Sequence, residues 1–368
     1  MAGNSTFTWR KNLTLDSKVS PFDSPLPATH SAFKDVKPVS WRRYNIAGTL
    51  LTIYGLDELT THDAVPCLWL LHGRGDTQDS MSFTAAAFLN TWNSKRKPHD
   101  RGLICVCFDQ RNHGSRMIDN RANESWKGGN PTHGPDMFTL FSGTGSDVSM
   151  LITHLPAYLP FTPAEHWCGG VSLGGHASWQ AVLHDPRITA AIIVIGCADY
   201  VRLMTDRAIR SKLGTCMDSD PPGRNFLGST DFPRSLVEAV ERLDPAGLLL
   251  GELDTVTGDD HLHTPSDTEI KRLKPIMREK LAGKKLLVLS GGKDRLVPYE
   301  QSEPFLTWLK KAINTRNGWC SDQGTEVEDI VDPTGRHEFS APMRREAERW
   351  LCDRLADASS RGSRDSKI

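Results

Sequence analysis

The sequence predicts an α/β fold, a mostly parallel sheet with helices on both faces. Three observations point there. Ala64 to Leu71, Gly102 to Phe108, Ile188 to Ile195 and Lys284 to Ser290 are near-continuous apolar runs, as expected of strands covered on both sides. Ser146 to Tyr158 and His176 to Leu183 lie between them with apolar residues at helical spacing. The chemically versatile residues gather just beyond the C-terminal ends of the apolar runs, where parallel sheets collect their chemistry.

Residues 1–40 hold many Pro, Ser and Thr and little periodicity, so an irregular N-terminal arm is expected. Trp41 to Ile53 alternates as one or two strands with a turn at Ala47-Gly48. Ala64 to Leu71 and Gly102 to Phe108 follow as buried strands, and Pro160 closes the helix over Ser146 to Tyr158. Glu165 to Cys168 leads as a strand into Gly170-Val171-Ser172-Leu173-Gly174. From Tyr200 to Gly283 short amphipathic pieces alternate with Pro, Gly and acidic breaks, predicting a small helical cap over 200–283. Lys284 to Ser290 and Val327 to Val331 return to strand character, and Ala341 to Ala356 reads as the last helix. The resulting division is an arm over 1–40, a core over 41–199 and 284–357, the cap, and a flexible tail over 358–368.

Composition limits the function. With 368 residues the chain can bury a large core. A formal net charge of −1 leaves no basic field for nucleic acid, and the tryptophans (Trp126, Trp179, Trp308, Trp319 and Trp350 among them) form no stacking series. No apolar run approaches a membrane span. Eight cysteines without paired spacing read as buried thiols of a reducing compartment, so an intracellular protein is expected. The terminal Ser366-Lys367-Ile368 differs from the peroxisomal Ser-Lys-Leu signal in its last residue only. It reads equally as a contact for an import receptor or as an ordinary terminus, leaving cytoplasm and peroxisome both open.

The chemistry is expected at Ser172. A serine between glycines, after a strand and before a helix, sits on a tight turn that lifts its hydroxyl above the sheet. Serine is a poor nucleophile at neutral pH and needs a base within hydrogen-bond reach. His337, in Pro333-Thr334-Gly335-Arg336-His337, supplies an imidazole, and Asp294, in Gly291-Gly292-Lys293-Asp294, supplies a carboxylate to orient it. His72-Gly73-Arg74-Gly75 after the first buried strand predicts an oxyanion site from the backbone N–H groups of Arg74 and Leu173, with Gly73 as the alternative to Arg74. Asp199 also follows a strand, but the Gly-Gly and Val-Pro flanks favour Asp294 as the acid. Asp332 is expected to end a strand. Asp109, Arg111 and His113 are expected to form a loop held by its own ion pair and hydrogen bonds rather than to contact substrate, and His176 to be packed or capping. Asp259-Asp260-His261-Leu262-His263 is too compact to wrap a metal ion unaided and reads as a solvated loop. No metal or organic cofactor is called for.

These pieces together resemble the α/β-hydrolase superfamily. The resemblance is carried by His72-Gly73-Arg74-Gly75, Phe108-Asp109-Gln110-Arg111-Asn112-His113-Gly114, the Ser172 turn, Gly292-Lys293-Asp294 with Val297-Pro298, and Gly335-Arg336-His337. It extends from about Trp41 to Leu355 and is similar above all to intracellular serine esterases of the dienelactone-hydrolase-like and peptidase-like branch. It implies an eight-stranded, mostly parallel sheet and acyl-transfer chemistry. Arg336 departs from the pattern, since many relatives carry an apolar or small residue before the histidine. The expectation is a serine hydrolase of small carboxylic esters or thioesters. A peptidase or amidase on the same residues, and a non-catalytic ligand-binding protein on this fold, are the alternatives.

Overall fold

The computed structural model describes residues 14–15, 19–97, 100–250 and 265–365. Its strands are β1 (Thr14–Leu15), β2 (Trp41–Ile46), β3 (Thr49–Tyr54), β4 (Pro66–Leu71), β5 (Ile104–Phe108), β6 (Glu165–Val171), β7 (Ile188–Val194), β8 (Lys285–Gly291) and β9 (Glu326–Asp332). They form one sheet in the order β1-β2-β3-β5-β4-β6-β7-β8-β9. Eight strands make its body, and the two-residue β1 extends one edge. Pairings from β1 to β5 are antiparallel, and those from β5 through β4 to β9 are parallel. The β2–β3 hairpin turns on Ala47 and Gly48, both at positive φ, the twist-matched geometry of a two-residue hairpin.

Side chains alternate strictly across the buried strands. Leu68, Leu70, Cys105 and Cys107 face a layer containing α1 (Ser82–Lys95) and α10 (Ala341–Asp365), where Phe88, Trp92 and Trp350 are buried. Trp69, Leu71, Val106 and Phe108 face the opposite layer. That layer contains α2 (His133–His154), α3 (Leu173–His184), α8 (Asp267–Leu281) and α9 (Glu303–Ala312). The eight cysteines are buried free thiols. Residues 28–33 of the N-terminal arm lie against the α10 layer: the ring of Phe33 stands 5.0 Å from that of Phe339, tilted by 58°, and Phe339 N donates to Thr29 O.

Three expectations change. Helix α2 begins at His133 rather than Ser146. Its Gly143 and Gly145 look like breakers in sequence, yet a Cβ at either would strike Arg111 or Gln180, so close packing selects them. Helix α10 continues to Asp365, through part of the segment expected as a flexible tail. Its one proline, Pro342, sits in the first turn where no N–H is needed, and a single glycine such as Gly362 costs a helix only about 1 kcal/mol. Between β7 and β8 lie α4 (Tyr200–Ser211), α5 (Gly214–Met217), α6 (Arg234–Leu243), α7 (Pro245–Leu250) and α8. Of this expected cap, α8 packs beside α3 and belongs to the helical layer. Asp259 to His263 and Ser366-Lys367-Ile368 lie outside the described residues. Among the described residues no helix is long and apolar enough to cross a membrane.

Candidate active site

The chain leaves β4 in opposite directions, since β5 and β6 flank it. That reversal opens a crevice at the carboxyl ends of β4 and β6, the switch point of an open α/β sheet. Leu71, which ends β4, is registered with Gly170 on β6. The His72-Gly73-Arg74 turn and Ser172 therefore emerge side by side, and a Cβ on Gly73 would lie 3.9 Å from that of Ser172.

Ser172 occupies φ 57°, ψ −112°, a conformation that costs a non-glycine residue of order 1–3 kcal/mol and must be held by its surroundings. Ser172 N donates to Val194 O at the end of β7, and Ser172 O accepts from His176 N at 3.0 Å and from His176 Nδ1 at 2.8 Å. The glycines around it are steric necessities: a Cβ on Gly170 would sit 2.3 Å from Gly174 O, and one on Gly175 2.7 Å from Val194 O. Leu173 opens α3, so its N–H has no acceptor within the helix.

His337 Nε2 lies 2.9 Å from Ser172 Oγ, and its Nδ1 lies 2.8 Å from Asp294 Oδ2. Asp294 is buried, and its other oxygen accepts from Leu296 N at 2.8 Å and Val297 N at 3.0 Å. A carboxylate so fixed holds the Nδ1–H tautomer and leaves Nε2 as the acceptor facing the serine. The loops carrying the two residues are stitched together. Gly292 N donates to Asp332 O and Lys293 N to Gly335 O, both at 2.8 Å. A Cβ on Gly291 would come within 2.6 Å of Arg336 O, which is the physical reason for glycine there.

The expected oxyanion turn is braced by its own histidine. His72 Nδ1 donates to Gly73 O at 2.7 Å and His72 Nε2 accepts from Gln110 N at 3.0 Å, while the Gln110 side-chain amide returns to His72 O. Full burial pushes His72 down to about 4, so it is neutral at physiological pH.

No family model matches the chain, and no curated protein matches its sequence. Solved structures do. Dipeptidyl peptidase 4 of Porphyromonas gingivalis matches at a TM-score of 0.50 and 12% identity, over 86% of this chain and 36% of its own. The chain has the α/β-hydrolase fold. Acylaminoacyl peptidase of Pyrococcus horikoshii matches at 0.48 and 16% identity, covering 88% of this chain and 42% of that one. Est1E of Butyrivibrio proteoclasticus, solved with bound ferulic acid, matches at 0.43 and 14%, covering 86% and 98%. The chain thus spans less than half the length of either peptidase.

Within this hydrolase fold the rival residues find other work. Asp199 is buried at the start of α4, where its carboxylate accepts from Arg202 N, and burial pushes it up to about 6. Asp332 ends β9 and accepts from Ser340 Oγ at 2.6 Å. Asp109 accepts from Gln78 N, Ser115 N and Ser115 Oγ. Arg111 does not pair with it as an internal loop ion pair would require. It reaches Asp147 on α2 at 2.9 Å instead, a partner 36 positions along the chain that packing brings beside the loop. His176 is buried against the serine carbonyl. Among the described residues no group of three or more His, Cys, Asp or Glu could hold a metal ion.

Two arginines of α4 escaped the sequence reading. Arg207 donates to Leu296 O at 3.0 Å and Arg210 donates to Arg295 O, so α4 grips the loop that carries Asp294. Their i, i+3 spacing was visible in sequence. Which loop they would meet was not. A cleft of about 940 Å³ opens beside His337, with Arg210, Lys293, Arg295 and Arg336 in its walls.

Proposed function

We propose that the protein is a serine hydrolase that cleaves a carboxylic ester or thioester through an acyl-enzyme on Ser172. The reading is carried by His337, whose two ring nitrogens bridge Ser172 Oγ and Asp294 Oδ2 at 2.9 and 2.8 Å. Ser172 Oγ attacks the acyl carbonyl while its proton passes to His337 Nε2, and the carboxylate of Asp294 stabilises the resulting imidazolium. The N–H groups of Leu173 and Arg74 receive the tetrahedral oxyanion, each such donor contributing roughly 3 kcal/mol to the barrier reduction. His337 then returns the proton to the leaving group. A water deprotonated by the same nitrogen attacks the acyl carbon and frees Ser172. Cleavage of a peptide bond would use the same atoms, with His337 protonating an amine. The part of the expected 200–283 cap that precedes α8 belongs to this reading: α4 would wall the substrate cleft and keep bulk water from the acyl-enzyme.

The test is Ser172→Ala. The variant is expected to keep the wild-type melting temperature and to lose both p-nitrophenyl acetate turnover and labelling by a fluorophosphonate. Undiminished turnover in the variant would refute the assignment. Parallel assays on ester, thioester and peptide panels rank the acyl groups and leaving groups.

A further inference from the structure

The chain as a whole is nearly neutral, yet a second cavity of about 170 Å³ behind the oxyanion turn is lined by Arg74, Lys127, Arg207 and Arg210, with Trp126 and His133. It adjoins the large cleft at His337, the two sharing Arg210 and Leu296. Arg207 is the informative residue. It is only 8% exposed, and burying a guanidinium is costly unless an anion accompanies it. Its partners are Leu296 O, Met137 Sδ and, at 3.5 Å, His133 Nε2. Among the described residues no carboxylate lies within ion-pair distance of it, and its Nε has no acceptor. Neither neighbour is a counter-ion: the Tyr200 hydroxyl donates to Gly134 O, and burial pushes His133 down to about 3, keeping it neutral.

Burial, with Arg74 beside it, lowers Arg207 to about 10, still a cation at neutral pH. Among the described residues Arg74 has no carboxylate at ion-pair distance either. Its guanidinium donates to Asn123 O, and Glu124 acts on it only from further away. Trp126 adds a buried indole N–H without an acceptor. Three donor-bearing side chains therefore border one small cavity without an anion to satisfy them. Arg210 is different, because Asp206 neutralises it. A purely structural Arg207 would be explained by its bond to Leu296 O, but a carbonyl does not compensate a buried full charge.

We propose that Arg207 and Arg74 form a subsite for an anionic group, a carboxylate or a phosphate, borne by the same substrate whose acyl carbon meets Ser172. The link between subsite and nucleophile is the backbone: Arg74 contributes its side chain to the cavity, and its N–H belongs to the turn beside Ser172. This inference rests on the hydrolase reading for what happens to the substrate. The anion subsite itself does not need that chemistry. A planar guanidinium binds the two oxygens of such a group in a fork.

Calorimetric titration of the full-length protein with glutarate and with inorganic phosphate tests the subsite directly. One of the two is expected to bind wild type and Ser172→Ala alike, and at least 10-fold more weakly to Arg207→Met and Arg74→Met. The glutarate and phosphate arms decide which anion is preferred. In kinetics, kcat/KM for methyl hydrogen glutarate over dimethyl glutarate, and for 1-acetylglycerol 3-phosphate over 1-acetylglycerol, reads the same preference during turnover. At least one ratio is expected to exceed 10 in wild type and to fall at least 10-fold in Arg207→Met, a change that loosening of the Asp294 loop would not produce. Should Arg207→Met fail to fold, Arg74→Met, a half-buried position with no regular element around it, carries both measurements. Anion binding indifferent to both substitutions, or ratios near 1 in wild type, would overturn the subsite. Intact anion binding without fluorophosphonate labelling would overturn the serine hydrolase reading and leave the subsite standing.

Discussion

Gly174 lies so close to Leu71 that a Cβ added to it would stand 2.0 Å from the Leu71 carbonyl oxygen. The first turn of α3 is thus pressed against the end of β4, and the turn after β4 and the Ser172 turn are held together by backbone contact. Gly174→Ala is expected to destabilise the fold by about 3 kcal/mol or more, because carbonyl backbone cannot step aside as a flexible side chain can. Gly75→Ala is the control. Its φ of +83° penalises a Cβ, but nothing lies within 4 Å of one, so about 1 kcal/mol is expected. Urea denaturation midpoints of the two variants check the contrast, and equal losses would contradict it.

His72 links the turn at Gly73, the expected oxyanion site, to Gln110, two residues past β5, through Gly73 O and Gln110 N. His72→Phe keeps an aromatic ring but removes both bonds. The expected result is a fall in kcat/KM of roughly 10²-fold, the size associated with one misplaced oxyanion donor, with fluorophosphonate labelling slowed rather than abolished. A variant with wild-type kinetics would show that the turn does not depend on this histidine.

Lys284 is buried just before β8, where its ammonium donates to Val182 O and to Asp185 O. Burial lowers it from 10.5 to about 8. Between those two values the unfolded chain binds the proton more strongly than the folded one, so stability rises with pH across the window. Below about 8 the penalty for burying the charge is complete, and above 10.5 it is gone. Lys284→Met abolishes this dependence. The difference in melting temperature, wild type minus variant, is expected to increase from pH 8 to pH 10.5. A difference independent of pH would refute the assignment.

How far the sequence carries is clearest at particular residues. The strands from β4 to β8 were legible because burial on both faces makes them continuous apolar runs. Ser172 was legible because glycines at 170 and 174 flank its tight turn, Gly170 packing on Gly174 within that turn, whereas the contact of Gly174 with Leu71 O was not legible. Asp294 was legible because Gly291 and Gly292 must pass within van der Waals distance of the histidine loop. Helix α2 was legible only in its second half. Gly143 and Gly145 serve contacts with Arg111 and Gln180, residues at other points of the chain, and without those partners they read as breakers. Arg111 reads as part of its own loop because its partner Asp147 lies 36 positions on, in a helix whose place beside that loop only packing decides.

The sequence by itself determined the order of elements, the identity of the three residues that meet at the crevice, and the polar turn facing them. Each of these is written in local patterns of glycine, apolar run and turn. The tertiary structure alone decided that His337 stands 2.9 Å from a hydroxyl 165 positions away, and that Arg207 is buried with no carboxylate among the described residues to neutralise it. Distance and desolvation are properties of neighbours brought together by folding, and residues far apart in the chain do not declare them in advance.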